Sequence, residues 1–97
     1  MFCTIRQYEA CPDANELKRQ LEGELLPAIR DMEGYQAYIA IDCGDGDVAS
    51  ISLFDTQENA EAANRQVAQL IEAKDMVELL PEEPVITIGE VMVQNRR

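Results

Sequence analysis

The side chains best suited to chemistry lie in two strand-like segments and one helix-like segment. Alternation along a β-strand sends every second side chain to the same face, which groups Arg6 with Tyr8 in the first segment and selects Tyr38 in the second. Asn64 lies in the helix-like segment. A guanidinium, two phenols and an amide around an apolar space could bind a small anionic or phenolic molecule. We therefore predict Arg6, Tyr8, Tyr38 and Asn64 as ligand-binding residues, with Asn64 near the rim of the pocket.

Each of these residues also has a structural explanation, and the sequence assigns no catalytic residue. Arg6 could pair with Glu90 on the last strand, because a charge that faces a closed interior needs a partner. It could also bind a ligand carboxylate or simply face solvent. Tyr8 and Tyr38 could pack at an interface through their apolar rings. Asn64 could be an ordinary polar residue at the edge of its helix.

The residue types that the chain lacks argue against several kinds of active site. There is no histidine, which removes the commonest general base and the commonest metal ligand. Cys3, Cys11 and Cys43 are an odd set without a C-x-x-C pair, unlike a disulfide framework or a zinc cage. We expect the three thiols to be reduced, and we predict neither a metal nor a cofactor.

Three aspartates, Asp42, Asp45 and Asp47, surround a short glycine-containing segment that could be mistaken for a metal loop. A calcium loop of the EF-hand type needs oxygen ligands at alternate positions and a glutamate at the twelfth, where this chain has Leu53. The Asp45-Gly46 pair is instead a strong signal for a tight hairpin. We predict a turn here.

The balance of charge limits the partners of the protein. Eight lysines and arginines against nineteen aspartates and glutamates give a net charge of −11. Such an acidic surface repels nucleic acid and anionic membranes, whose binding relies on basic side chains. The longest apolar run has five residues, far fewer than the ~20 that span a bilayer, and the first residues do not resemble a signal peptide. We expect a cytoplasmic protein with one domain over residues 1–97.

The order of the predicted elements indicates an α+β fold. A capping box at Asp13 marks the first helix start, and either Asp55, with Glu58 three residues later, or Thr56 can cap the second helix. Pro27 should interrupt the first helix. The predicted strands are Phe2–Tyr8, Tyr35–Asp42, Val48–Phe54 and Pro84–Val93, and the predicted helices are Asp13–Met32 and Thr56–Met76. This βαββαβ order predicts a ferredoxin-like domain, in which both helices cover one face of a four-stranded antiparallel sheet.

Strand alternation divides the sheet into an apolar and a more polar face. We predict that the helices cover the apolar set, which contains Cys3, Ile5, Ala37, Ile39, Ile41, Ala49, Ile51 and Leu53. The opposite set contains Thr4, Arg6, Tyr8, Gln36, Tyr38, Asp42, Ser50 and Ser52, and Val48, Phe54 and Phe2 share that side. The exposed aromatic and aliphatic side chains there need a cover. We therefore predict a homodimer interface at Tyr38, Val48, Ser50, Ser52 and Phe54.

A stretch around the first helix-to-strand step carries a family resemblance. Glu33-Gly34-Tyr35-Gln36-Ala37-Tyr38, a hydrophobic hairpin that ends in Phe54-Asp55 and an alanine-rich helix resemble the dimeric α+β barrel proteins, more narrowly their antibiotic-biosynthesis-monooxygenase-like (ABM-like) branch. That branch shows a P-G-F/Y-x-G/A-Y pattern at this step, and here Glu33 replaces the proline. Haem-degrading members use a histidine or an asparagine on the second helix; this chain has no histidine, and Asn64 lies in roughly that region. The chain also lacks the tryptophan common in cofactor-free oxygenases.

The resemblance implies a homodimer in which two sheets face each other around a cavity. It implies a protein that binds a small hydrophobic or phenolic molecule. The alternative is a cofactor-independent monooxygenase-like enzyme that acts on a phenolic or quinone-like substrate. The missing histidine and tryptophan favour the first hypothesis.

Overall fold

Four antiparallel strands form one sheet in the order β2-β3-β1-β4. The computed structural model describes residues 1–97. Its elements are β1 (Phe2–Tyr8), α1 (Ala14–Gln20), a π-helical segment (Leu21–Leu25), α2 (Leu26–Arg30), β2 (Tyr35–Gly44), β3 (Asp47–Phe54), α3 (Gln57–Ala73) and β4 (Val85–Glu90). The predicted ferredoxin-like α+β order is confirmed, and none of the helices has the length and apolar character needed to cross a membrane.

The first predicted helix is divided by a wider π-helical turn. Its start is confirmed, because the Asp13 side chain accepts a hydrogen bond from the Glu16 backbone N–H at 3.0 Å. Pro27 has no N–H and its ring would crowd the carbonyl four residues before it. The backbone widens just before this proline, and the Leu26 N–H donates to the carbonyl of Leu21, five residues back. Such π-bulges are frequent at functional sites.

The predicted hairpin turn is also confirmed. Asp45 and Gly46 both have positive φ angles, of 54° and 84°, as a type I′ turn requires. The Gly44 N–H donates to an Asp42 carboxylate oxygen at 2.9 Å. The Asp42 carboxylate therefore supports the end of β2.

Gly34 joins α2 to β2 in a conformation that favours glycine, with φ of +80°. A Cβ atom at this position would collide with the Asp55 carboxylate and approach Asn59 Nδ2 to 2.6 Å.

Gly34→Ala is therefore expected to lower the free energy of unfolding by about 2 kcal/mol or more, from backbone strain and steric overlap together. Urea denaturation measures the change. Gly23→Ala is the matched control, because a Cβ there meets open space in a helical backbone that favours alanine by about 1 kcal/mol. Equal losses in both variants would contradict this explanation.

The structure reverses the predicted faces of the sheet. Residues opposite each other in neighbouring strands share a face, and the register pairs Thr4 with Ser52 and Arg6 with Ser50. Thr4 and Arg6 are both buried, and Arg6 contacts α3 through Asn64, so the more polar face is the one that the helices cover. The predicted interface set, Tyr38, Val48, Ser50, Ser52 and Phe54, lies on this covered face, with Val48 and Phe54 buried within the chain. That interface prediction is wrong.

The uncovered face carries the set that was expected beneath the helices. Its central row runs across three strands and consists of Ile39, Ile51 and Ile5, each opposite the next. Ile39 is 55% exposed and Ile5 is 37% exposed. The other members are Cys3, Ala37, Ile41, Ala49 and Leu53. Gln36 belongs to neither set, because the register shifts between Tyr35 and Ala37. We call this surface the outer face.

Two apolar clusters pack between the helices and the covered face. One contains Tyr8, Cys11, Leu17, Val48, Met76 and Leu80. The other contains Leu25, Ile29, Phe54, Ala60 and Ala63. Members of both clusters line a cavity that lies between the helices and the sheet. The apolar core therefore surrounds a cavity that opens to the surface.

Candidate functional site

The cavity between the sheet and the helices has a volume of about 380 Å³. Seventeen of its 25 lining residues are hydrophobic. Leu25 from the π-helical segment, Ile29 from α2, and Ala63 and Val67 from α3 form part of its apolar wall. Small-molecule sites are typically concave, mostly apolar and ~300–1,000 Å³ in volume. The cavity has the size and lining of such a site.

All four residues that the sequence selected line this one cavity. Arg6 and Tyr8 come from β1, Tyr38 from β2 and Asn64 from α3. The cavity differs in place from the expectation, because it lies within one chain rather than between two sheets. Asn64 was predicted near the rim, but its side chain accepts a hydrogen bond directly from Arg6.

Arg6 is the centre of the polar wall and is only 5% exposed. Its Nε donates to the Tyr8 hydroxyl at 3.1 Å, and its Nη1 donates to Asn64 Oδ1 at 3.1 Å and to the Asn64 carbonyl at 3.4 Å. The guanidinium carbon lies 5.9 Å from the centre of the Tyr8 ring. Thr4 stands behind this group and accepts a hydrogen bond from Asn64 Nδ2 at 3.3 Å. This last bond turns the amide oxygen of Asn64 towards Arg6.

Of the three possibilities considered for Arg6, the ion pair with Glu90 is wrong. The β1–β4 register places Glu90 opposite Phe2, whereas Arg6 faces Ile86. The two ion pairs in the structure join Arg19 to Glu16 at 2.6 Å and Lys74 to Glu24 at 3.2 Å. Arg6 therefore has neutral hydrogen-bond partners and no carboxylate within ion-pair distance.

Tyr38 supplies a second polar group on the same wall. Burial raises the pKa of its phenol, and the Ser50 side chain opposes that rise in part. The phenol therefore keeps its proton at neutral pH and can donate a hydrogen bond to a bound molecule. Ser50 and Ser52 add two hydroxyls beside it.

The mouth of the cavity carries the remaining charges. The acidic lining residues are Glu22 and Asp42, and both are exposed, as is the one lining lysine, Lys18. No group of three or more Cys, Asp or Glu side chains converges anywhere in the protein as a metal site would require. The interior thus offers hydrogen-bond donors, one cation and an apolar wall. These groups can bind and orient a polar aromatic molecule.

No protein-family model matches this sequence, and no curated protein does so either. Solved structures are closely similar in shape. A protein of unknown function from Nitrosomonas europaea, NE2512, superposes with a TM-score of 0.79 at 21% identity, over 99% of this chain and 93% of that one. The ActVA-Orf6 monooxygenase of Streptomyces coelicolor, solved with nanaomycin D, gives 0.75 at 16% identity, over 99% and 91%. An antibiotic biosynthesis monooxygenase gives 0.70 at 15% identity, over 96% and 100%.

The chain has the ABM-like fold. The resemblance inferred from Glu33–Tyr38 and from the hairpin ending at Phe54-Asp55 is thereby confirmed as a likeness of fold. Identities of 15–21% do not carry an activity from one ABM-like protein to another, because one fold supports many functions. The function of this chain must be inferred from its own cavity.

Thr4 lies behind the polar wall and is the supporting residue that the ligand-site prediction missed. It is 1% exposed and makes its side-chain hydrogen bond to Asn64. Alternation had already grouped it with Arg6 and Tyr8. The missing information was the position of α3 above that face, which supplies the amide that Thr4 orients.

Proposed function

We propose that this chain is a single-domain, cytoplasmic homodimeric protein that binds a small hydrophobic or phenolic molecule in the cavity between its sheet and its helices. The observation that supports this proposal is the cavity itself, which is mostly apolar but carries Arg6, Tyr8, Tyr38 and Asn64. An aromatic molecule bound in this space would gain packing contacts with the apolar lining.

The proposed ligand has a flat apolar body and at least one oxygen. The apolar wall formed by residues such as Leu25, Ile29 and Val67 would contact the body. The phenol of Tyr38 and the guanidinium of Arg6 would bond to the oxygen. 2-Naphthol is a suitable neutral probe, and isothermal titration calorimetry is the test. Absence of binding at any accessible concentration would contradict the proposal.

Ser52 allows the location of the ligand to be tested by filling the cavity. It lies between Thr4 and Tyr38 in the sheet and lines the cavity. Ser52→Leu is expected to weaken 2-naphthol binding at least ~10-fold by occupying its space, and to stabilise the unliganded protein by about 1 kcal/mol through added burial. Ser52→Ala is the control, since it removes the hydroxyl without filling the space. Equal affinities for Ser52→Leu and the unmodified protein would place the ligand elsewhere.

The proposed dimer is formed through the outer face. The row of Ile5, Ile51 and Ile39 is too apolar to face water in a chain of this size, and Val85 beside it is 65% exposed. A second copy could cover the same face by two-fold symmetry and produce the dimeric barrel that the resemblance implies. A net charge of −11 disfavours nucleic acid and anionic membranes as partners.

The second candidate function is a cofactor-independent monooxygenase-like activity on a phenolic or quinone-like substrate. It is favoured by the likeness in fold to a monooxygenase solved with nanaomycin D, together with the placement of two phenols and an amide on one wall. The cavity interior has no carboxylate or histidine to act as a base. Oxygen uptake measured with each molecule that binds would distinguish a binding protein from an enzyme, with Asn64→Ala as the comparison.

A further inference from the structure

The charge of Arg6 has no compensation within the protein. Removing a guanidinium from water has a large cost, which neutral hydrogen bonds repay only in part. Arg6 is 5% exposed and bonds to an amide, a backbone carbonyl and a phenol, which are all uncharged. A buried cation with only neutral partners would be stabilised by a nearby anion.

The chain contains many carboxylates, yet none of them pairs with Arg6. It contains nineteen carboxylates against eight basic side chains. The two ion pairs of the structure involve Arg19 and Lys74. No carboxylate therefore lies within the 4.0 Å ion-pair distance of the Arg6 guanidinium. The acidic residues that line the cavity, Glu22 and Asp42, are exposed and form no ion pair with it.

The unused donors of this group point to where an anion would bind. Nε and Nη1 are engaged by Tyr8 and Asn64, whereas Nη2 makes no hydrogen bond within the protein and is not sealed from solvent. The Tyr8 oxygen accepts from Arg6, so its own hydrogen is free to be donated. Nη2 and the Tyr8 hydroxyl are therefore two adjacent donors at the cavity wall.

The surrounding contacts keep this arrangement fixed before any ligand arrives. Thr4 holds the Asn64 amide so that its oxygen faces Arg6, and Tyr8 holds the other edge of the guanidinium. Rigid donors around a cation lower the ordering cost of binding. A neutral ligand would leave the charge uncompensated, whereas an ionised oxygen acid would pair with it in a site of low dielectric.

We infer that the molecule bound in this cavity is a planar organic anion, of which an aromatic carboxylate is the simplest example, and that Arg6 is its receptor with Tyr8 as the second donor. This inference rests on the proposed function, since it names the charge of the ligand at the same site. Asn64 and Thr4 are positioning residues, because they act on the anion through Arg6.

The test compares three probes that share one ring system: 2-naphthoate, its neutral methyl ester and neutral 2-naphthol. Calorimetry on the purified protein is expected to show 2-naphthoate binding at least ~10-fold more tightly than the methyl ester, since charge-assisted hydrogen bonds exceed neutral ones by that order. In Arg6→Met the preference should disappear through loss of 2-naphthoate affinity, while the ester should still bind. Arg6→Lys should retain part of the preference.

Arg65→Met is the matched control. Arg65 is exposed on α3 next to Asn64, and its replacement removes one positive charge, as Arg6→Met does. It should leave all three affinities within ~2-fold of the original, as expected for a screened surface charge. Circular dichroism and thermal melting establish that each variant is folded. Should Arg6→Met be unfolded, Arg6→Lys and Thr4→Val still test the inference, because both should reduce the preference for the anion.

The outcomes separate this inference from the proposed function. If 2-naphthol and the ester bind but 2-naphthoate does not, the ligand is neutral and the anion inference is overturned while the proposed function stands. Equal loss of the anion preference in Arg65→Met and Arg6→Met would overturn it as well, because the effect would then be one of overall charge. Failure of all three probes to bind would overturn both.

Discussion

Asn64→Ala is expected to lower the free energy of unfolding by about 3 kcal/mol while Arg6 is present, and by about 1 kcal/mol when residue 6 is methionine, because the buried Thr4 hydroxyl loses its partner in both cases. Asn64 Oδ1 accepts from Arg6 Nη1 at 3.1 Å, and hydrogen bonds to charged groups contribute ~1.5–3 kcal/mol. Once the guanidinium is removed, the amide has no charge to stabilise. Urea denaturation of the two single variants, the double variant and the original protein gives this coupling energy directly.

The single change Arg6→Met is expected to leave stability unchanged or to raise it by about 1 kcal/mol or more, because an apolar side chain replaces a buried and uncompensated charge. The same change should remove anion binding, so that stability and function are opposed at this position. A loss of ~3 kcal/mol or more on Arg6→Met would mean that the folded protein, in its dimeric state, does supply a counter-ion.

Ile51→Lys is expected to convert the proposed dimer into a monomer or an aggregate. Ile51 lies between Ile5 and Ile39 at the centre of the outer face, so that the symmetric partner would bury two unpaired ammonium groups close together. A stable interface of roughly 1,600 Å² would not tolerate them. Analytical ultracentrifugation at micromolar concentration measures the change in mass.

Gln57→Lys is the control for this experiment, because it makes the same change in net charge at an exposed position on α3. It should sediment like the original protein. A dimer that survives Ile51→Lys with unchanged affinity would show that the copies meet through another surface. An original protein that is monomeric at this concentration would contradict the homodimer itself.

The order of the elements could be predicted because short-range signals determine it. Asp13 caps α1 and Thr56 caps α3 through hydrogen bonds that lie within one turn, and Asp45-Gly46 closes the hairpin within four residues. Pro27 locates the irregular part of the first helix. Each of these signals acts over a few residues and can therefore be recognised in a single sequence.

The assignment of the two faces failed because it depends on long-range packing. Apart from Gln36 at the register shift of β2, alternation correctly separates the Ile5 set from the Arg6 set. Alternation alone, however, does not say which of the two sets the helices cover. The usual preference for apolar burial predicted that the helices cover the Ile5 set. They cover the other face instead, where polar residues line a cavity. Asn64 on α3, which bonds to both Thr4 and Arg6, is the feature that identifies the covered face.

The possible ion pair between Arg6 and Glu90 is absent for a related reason. The register of β4 against β1 is not fixed by a short turn, because a connection of eleven residues separates β4 from α3. The strand pairs so that Ile86 rather than Glu90 faces Arg6. The four residues proposed to bind the ligand could nevertheless be selected from sequence as lining one cavity, because three of them share one face by alternation and the fourth is a polar residue on the helix above.

The central claim is that the ligand binds between the sheet and the helices of one chain, and methyl-detected NMR tests it most directly. We expect intermolecular nuclear Overhauser effects between bound 2-naphthol and the methyl groups of Ala63, Val67 and Leu25, which line the cavity. The methyl groups of Ile39 and Ile51 on the outer face should give none. Contacts from the probe to Ile39 and Ile51, without contacts to Ala63 and Val67, would place the ligand between two sheets and contradict this account.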